Sequence, residues 1–484
     1  MRSRIQRHLW PVLGERIPVR QGGPEETIAP EVPPLELSGR DYAIFLLRLA
    51  AEIEHGLMVQ YLFAAYSLDS SNLAPERRPL VRGWQETILA IAKEEMAHLV
   101  TVQNLLIALG GPLQFNREDY PNDNVLYESG FTLQPLTTSS LATYVCAESP
   151  QNWDTDQARA IKREAEIAAG GTVNRVGRLY EELVRVIGDE QLVPDGTFDE
   201  DGGVFQASWD AWGRGFRRSG QHRPGPQDTD AREEHELVIA TVSDRATALA
   251  ALNQVGEQGE GFENPAPDDD DESHFQRLLG IYEALAGMSE SEQRAVIRNV
   301  ATNPTTHLDG PDVGPEPAAD AAGDPPAATT SPISNSEARM WAHLFNVRYR
   351  KLLVSLAHTF ELAEDRSDVN RPGPRGTLIN RSFSEMYNLR SIAGVLVGLP
   401  LDDADPGGRS AGPPFQMPHT LMLSHDEDDR WRLHRDLLDA SGTLIGRIAA
   451  ADGSGAGQDY IRALAQADRI ELAQVDLLIG GAGP

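Results

Sequence analysis

Only one cysteine, Cys146, occurs in 484 residues. That removes disulfide scaffolds, cysteine zinc sites and cysteine-held iron–sulfur clusters within one chain. A lone buried cysteine is most simply a small apolar side chain. Lysine is nearly absent: Lys93, Lys162 and Lys351 are the only three, so arginine carries the positive charge. Against 43 basic residues stand 73 acidic ones, a formal charge of −30. Phosphate contacts need clustered Lys and Arg, so a general nucleic-acid binder is excluded, and docking on anionic lipid with it. No apolar run reaches the roughly 18 residues of a membrane span. The opening Met1–Trp10 is too polar for the apolar core of a secretory signal, which makes the cytoplasm the expected location. There is no Walker loop, no strand followed by a glycine-rich dinucleotide turn and no Gly-x-Ser-x-Gly elbow. Period-two alternation is rare, which predicts a mostly α protein, and no tandem repeat is visible.

At roughly 100–200 residues per domain, the length allows about two to four domains. Residues 1–36, rich in proline and glycine, read as an extended arm. Apolar periodicity runs from Asp41 to Leu68 and from Trp84 to Leu109, where Gly110-Gly111-Pro112 terminates it. Residues 113–155 look irregular apart from a helix-like piece at 139–147, and 156–188 read as one helix. Residues 189–230 read as an ordered aromatic insertion, with Trp209, Trp212 and Phe216. Helical patterning returns at 231–260 and again up to about 287. The proline-, alanine- and aspartate-rich segment 301–334 has linker composition. Helices are expected at 335–364, 380–399, 425–450 and 457–478. The organisation is then a bundle over 37–300 with a long insertion at about 112–230, a linker, and a helical C-terminal extension over 335–484 packed on the bundle. Trp341, Phe345, Tyr349, Leu352 and Leu356 are the packing face of that extension, and His343 and His358 read as structural.

Four helices place ionisable residues on stripes that should be buried. In the first, Leu47, Ala50, Glu54, Leu57, Tyr61, Ala64 and Leu68 alternate three and four apart, the spacing of a core-facing stripe. In the second, Ile88, Ile91, Glu95, His98, Val102, Leu105 and Leu109 do the same. The third runs Ile239, Val242, Ala246, Leu249, Asn253, Gly256, Glu260, and the fourth Asp271, His274, Leu278, Ile281, Leu285. The order is Glu, Glu-x-x-His, Glu, Asp-x-x-His, close to the carboxylate dimetal pattern of ferritin-like bundles. A charged carboxylate in a core costs several kcal/mol unless paired, and two divalent cations would neutralise such a cluster. Mixed carboxylate and imidazole donors suit iron and manganese. Singly, each member has a bland reading: Glu54 could pair with Arg48 or His55, and Asp271 could be helix-start charge. Glu257, one turn before Glu260, is an alternative ligand. Glu94 and His55 lie off the stripes and are assigned to solvent or to a supporting layer.

The residues Glu52-Ile-Glu54-His55-Gly-Leu, Gln60-Tyr61-Leu62, Glu94-Glu95-Met96-Ala97-His98 and Leu109-Gly110-Gly111 resemble a known group. It is the ferritin-like family that includes the iminophenyl-pyruvate dimer synthases of bisindole pigment pathways. Gln258-Gly259-Glu260-Gly261 and Ser273-His274-Phe275 resemble its second half, so the likeness covers about 40–290. Ala411-Gly412-Pro413-Pro414-Phe415 and Trp431-x-x-His434 belong to an extension. The resemblance implies a metal-binding helical bundle in secondary metabolism that acts with dioxygen or peroxide.

The expected protein is therefore an elaborated ferritin-like four-helix bundle holding two iron ions, or manganese, through Glu54, Glu95, His98, Glu260, His274 and either Asp271 or Glu257. It would oxidise a small organic substrate such as an amino or imino acid derivative, with no nucleic-acid or membrane partner and a homodimer as the assembly. Residues 261–270 and the insertion around Trp209–Phe216 would line the entrance. The rivals are a ferroxidase-type metal binder and a metal-free scaffold.

Overall fold

The computed structural model describes residues 36–71, 73–121, 131–169, 173–198, 201–208, 237–259, 272–307, 330–363, 373–417, 421–451 and 457–479. The arm up to residue 35, the insertion around Trp209–Phe216, most of the linker and the 261–270 loop lie outside them.

The described chain is helical almost throughout. Helices α1 (Gly39–Ser67) and α2 (Arg78–Ala108) are the longest. The Ser38 side chain starts α1 by accepting the Asp41 N–H, an N-cap with an acid in the first turn. Helix α2 ends at Gly110, whose φ of +62° only glycine adopts without strain. The guanidinium of Arg40, at the start of α1, donates to the carbonyls of Leu109 and Gly110. That contact fixes α1 and α2 as an antiparallel pair. Two short helices follow, α3 (Thr138–Ala147) and α4 (Asp156–Ala169), then α5 (Gly177–Gly188). The stretch expected as one helix over 156–188 is thus two. After them come α6 (Arg245–Gly259), α7 (His274–Ala286) and α8 (Glu290–Val296). Helices α1 and α2 pack on each other, α3 packs on α7, and α5 lies between α1 and α6. Residues 112–230, which the sequence pattern sets aside as an insertion, thus contribute α3 to α5 to the bundle.

The helix expected over 231–260 begins only at Arg245. Leu237–Val242 is irregular although Ile239 and Val242 are buried. Its backbone groups are satisfied by side chains instead of a helical ladder: Thr101 and Asn104 of α2 donate to the carbonyls of Val238 and Ala240, and Gln206 pairs with Val242. Buried spacing alone does not distinguish the two solutions.

A two-residue parallel ladder joins β1 (Pro304–Thr305) to β2 (Ser331–Pro332). Helices α9 (Ser336–Thr359), α10 (Pro374–Leu396), α11 (Glu427–Ala450) and α12 (Gln458–Leu478) form a second bundle. Trp341, Phe345, Tyr349, Leu352 and Leu356 are buried in it, and one apolar core runs through both halves of the chain. A polar clamp also joins them. The Tyr349 hydroxyl bonds His55 of α1, and Arg117 donates to Tyr349 and to the Phe415 carbonyl. Gly412 is required beside the clamp, because a Cβ there would lie 2.8 Å from Val300 and 2.9 Å from Phe63. No described helix is long and apolar enough to cross a membrane.

The second bundle buries charge at its centre. Arg348 donates to both oxygens of Glu385 and, at 2.6 Å, to Asp468. Lys351, fully buried, reaches Glu385 at 2.7 Å and Glu471 at 2.6 Å. Burial works against the Glu385 carboxylate, yet Arg348 and Lys351 hold it below its usual range. Removing one member of a buried network strands its partners, at about 3–5 kcal/mol. Glu385→Ala is expected to cost that much, read as the shift in a denaturant midpoint; a shift below about 1 kcal/mol would contradict the network's role.

One layer away, His358 and His434 hydrogen-bond ring to ring at 3.1 Å against Trp431. His343, by contrast, is exposed. Burial, then Arg430 and Arg381, push His358 down to about 3, and His434 falls as well. An unfolded histidine titrates near ~6.5, so the unfolded chain binds protons that the folded chain refuses. This contribution to stability is intact above about 6.5 and is lost as pH falls toward 3. Denaturation midpoints measured from pH 7 to 4 are expected to fall, and the slope to flatten in His358→Gln.

Candidate metal centre

Each side chain of the site is fixed by its place on a helix. Glu54 lies in the middle of α1, which is buried on all sides from Leu49 to Tyr61. Glu95 and His98 are one turn apart on α2 and share a face. Glu148 is the C-cap residue of α3. His274 is the first residue of α7, held by a capping box in which Ser273 and Gln276 exchange side-chain and backbone bonds. All five are at most 2 % exposed.

Two donor groups result. Glu54, Glu95 and His98 bring ligand atoms within 4.8 Å of one another, and so do Glu95, Glu148 and His274. Glu95 belongs to both. Its Oε2 lies 3.2 Å from His98 Nδ1, and its Oε1 lies 2.9 Å from His274 Nδ1. Glu54 Oε2 is 3.3 Å from His98 Nδ1, and Glu148 Oε1 is 3.9 Å from His274 Nδ1. The two imidazoles stack with centroids 5.4 Å apart. Glu95 thus turns one oxygen to each of two histidine-containing groups.

The outer faces of these residues are satisfied while inner atoms are not. His98 Nε2–H donates to Gln258 at 2.9 Å, and His274 Nε2–H donates to Glu94 at 2.9 Å. Arg277 in turn holds Glu94. With Nε2 engaged as donor, each ring keeps its Nδ1 lone pair for the interior, the arrangement that orients metal-binding histidines. Tyr180 donates to Glu54 Oε1, and Tyr61 donates to Glu148 Oε1 at 2.5 Å. Glu54 Oε2, Glu95 Oε1 and His274 Nδ1 are buried and make no directed hydrogen bond, although each lies within ion-pair distance of another member of the cluster. Stranding such a group costs about 1–3 kcal/mol, more when it is charged. Three such donors converging from three helices fit a metal cation in kind and in number.

Electrostatics agree. Burial first and the Glu95 charge second push Glu54 up to about 8. Burial opposes ionisation of Glu95 too, but His274 and His98 hold it well below the usual carboxylate range. Burial works against a charged His98, but the Glu54 and Glu95 carboxylates beside it raise it to about 10, and the surrounding carboxylates raise His274. The cluster thus draws positive charge, supplied by protons when no other cation is there. Metal binding must release those protons.

The expected ligands Glu54, Glu95, His98 and His274 come together here. Glu257 does not join them: it is exposed on α6, and the helix turns its neighbour Gln258 toward His98 instead. Glu260 and Asp271 lie outside the described residues. Glu94 and His55, off the apolar stripes, are nevertheless buried, Glu94 behind His274 and His55 in the interdomain clamp. Glu148 is the residue that sequence reasoning missed. Its signal is present, since Leu141, Tyr144 and Glu148 continue one three-four stripe, but α3 is only ten residues long, too short for a stripe to stand out.

Residues 47–283 match the family model described as Ferritin-like. The chain is similar to the dichlorochromopyrrolate synthase of Lentzea aerocolonigenes, 26% identical over 415 residues that cover 79% of this chain and 36% of that protein. It is also similar to the 2-imino-3-(indol-3-yl)propanoate dimerase of Chromobacterium violaceum, 25% identical over 418 residues that cover 80% and 35%. The chain spans about a third of the length of these curated relatives. A solved ferritin like protein from Caulobacter vibrioides aligns loosely, with a TM-score of 0.38 and 16% identity over 72% of this chain and 95% of that one. Residues 47–283, the stretch that holds every member of both carboxylate–histidine groups, are thus a ferritin-like domain.

Proposed function

We propose that the chain is a non-haem dimetal oxidoreductase of secondary metabolism that acts on a small organic substrate with dioxygen or peroxide. The observation that carries this reading is Glu95, whose two oxygens face separate histidine-containing groups. Glu54, Glu95 and His98 would hold one ion, and Glu95, Glu148 and His274 the other. The oxygen- and nitrogen-rich donor set, without sulfur, favours iron and also accepts manganese. When bound, such ions supply redox chemistry and activate dioxygen or peroxide.

The chain's own residues prepare that chemistry. Gln258 and Glu94 fix the tautomers of His98 and His274. Tyr180 and Tyr61 occupy one oxygen each of Glu54 and Glu148, and the other Glu54 oxygen is directed inward. Burial excludes bulk water from all five donors. The relatives are named for a dichlorochromopyrrolate synthase and an imino-indolylpropanoate dimerase, so the substrate class most consistent with them is an aromatic amino-acid-derived imine, joined oxidatively to a second copy.

Elemental analysis of protein from iron-supplemented cells is expected to give about two metal equivalents per chain. Glu95→Ala should lose both ions, whereas Glu148→Ala should lose one and keep the Glu54–His98 ion. Oxygen uptake should rise on addition of indole-3-pyruvate imine to the iron-loaded protein and stay at background with Glu95→Ala. Two metals retained in Glu95→Ala would refute the bridge, and a folded protein that binds none would favour a metal-free scaffold.

A further inference from the structure

The two donor groups present the same kinds of atom inward. Each has one terminal carboxylate, one imidazole and a share of Glu95. Each terminal carboxylate also gives one oxygen to a tyrosine hydroxyl, Glu54 to Tyr180 and Glu148 to Tyr61. The difference lies behind the imidazoles. His98 Nε2–H meets the Gln258 carbonyl oxygen at 2.9 Å, whereas His274 Nε2–H meets the Glu94 carboxylate at 2.9 Å. Gln258 is half-buried on α6, and Glu94 is fully buried on α2. Arg277 of α7 donates to both Glu94 oxygens, through Nη1 at 3.2 Å and through Nη2. An arginine is always charged, so this forked contact keeps Glu94 an anion.

A carboxylate anion only accepts, so Glu94 holds the His274 proton on Nε2 and keeps the Nδ1 lone pair directed inward. An amide has a carbonyl end and an amino end, and Gln258 can serve His98 with either. With the amino end turned to Nε2, the His98 proton moves to Nδ1 and covers the inward lone pair. Charge acts in the same direction. A carboxylate hydrogen-bonded behind an imidazole makes its other nitrogen a stronger metal donor, and a dry interior strengthens the effect. Gln258 offers His98 only a dipole, at a half-exposed position. Arg277 offsets part of the Glu94 charge but leaves the charge-assisted hydrogen bond to His274 in place. Partners of this kind are worth about 10–100-fold in metal affinity.

We infer that the two positions are unequal: the one formed by Glu95, Glu148 and His274 is the tighter and fills first, and Glu94 is the positioning residue that makes it so. The inference rests on the dimetal reading. Manganese(II) alone is the probe, because it suits oxygen and nitrogen donors and stays divalent without a reductant. One equivalent added to metal-free protein before crystallisation is expected to give an anomalous peak beside His274 at least about ten times stronger than any beside His98. Glu94→Gln keeps the shape and an acceptor oxygen but removes the charge. It should weaken the His274 position about 10–100-fold and leave the His98 position unchanged, so that the single ion divides between the two or moves to His98. Gln258→Glu should strengthen the His98 position and bring the two peaks closer. A merely structural role would weaken both positions together, so the ratio of the peaks is the readout. Equal peaks in the parent, or a first ion beside His98, would overturn the inference and leave the dimetal reading standing. So would an unchanged ratio in Glu94→Gln, or in Gln258→Glu, which decides alone should Glu94→Gln fail to fold. A parent that takes up no manganese at either position refutes the dimetal reading, and the inference with it.

Discussion

Three carboxylates brought into one dry core by three helices are the constraint around which the first bundle is arranged. Buried acids repel one another, and each imposes a desolvation cost of several kcal/mol unless compensated. Glu54, Glu95 and Glu148 receive partial compensation from His98 and His274 and from two tyrosine hydroxyls. Glu54 Oε2, Glu95 Oε1 and His274 Nδ1 meet these partners at ion-pair distance without a directed hydrogen bond. A fold that satisfies the outer atom of nearly every member and leaves the inner ones without a directed hydrogen bond is organised to receive a cation.

The second bundle meets the same physical difficulty differently. Arg348 and Lys351 supply the positive charge from within the chain, against Glu385, Asp468 and Glu471. Lys351 is one of only three lysines in the sequence, and it is fully buried at the centre of this network. One bundle thus balances its buried acids with cationic side chains, whereas the other gathers buried donors that fit a cation. The clamp of His55, Tyr349 and Arg117 ties them together one residue from Glu54, so the self-sufficient bundle braces the helix that carries a ligand of the other.

Much of the first bundle was legible because long helices with caps and regular stripes report burial directly. Glu54, Glu95 and His98 could be read from phase with their neighbours, and Gly110 from the terminator it forms. His274 was legible in the same way, from its phase with Leu278, Ile281 and Leu285. That Gln258 and not Glu257 would face His98 was not legible, because adjacent helix positions differ by about 100° and neither fits the apolar stripe cleanly. The irregular Leu237–Val242 segment has the apolar spacing of a helix, and the hydrogen-bond partners that decide otherwise, Thr101, Asn104 and Gln206, are distant in sequence.

The sequence by itself determined the helical class, the candidate donor types and the face on which each long helix would carry them, since those follow from local periodicity and from the presence of a single cysteine. Only the tertiary structure decided that the third carboxylate is Glu148, that Glu95 serves both halves of the site, and that Tyr180, Tyr61 and Glu94 stand behind the donors. Those facts depend on how α3, α5 and α7 approach α1 and α2, and contacts between residues up to 180 positions apart leave no mark on the local pattern of any one helix.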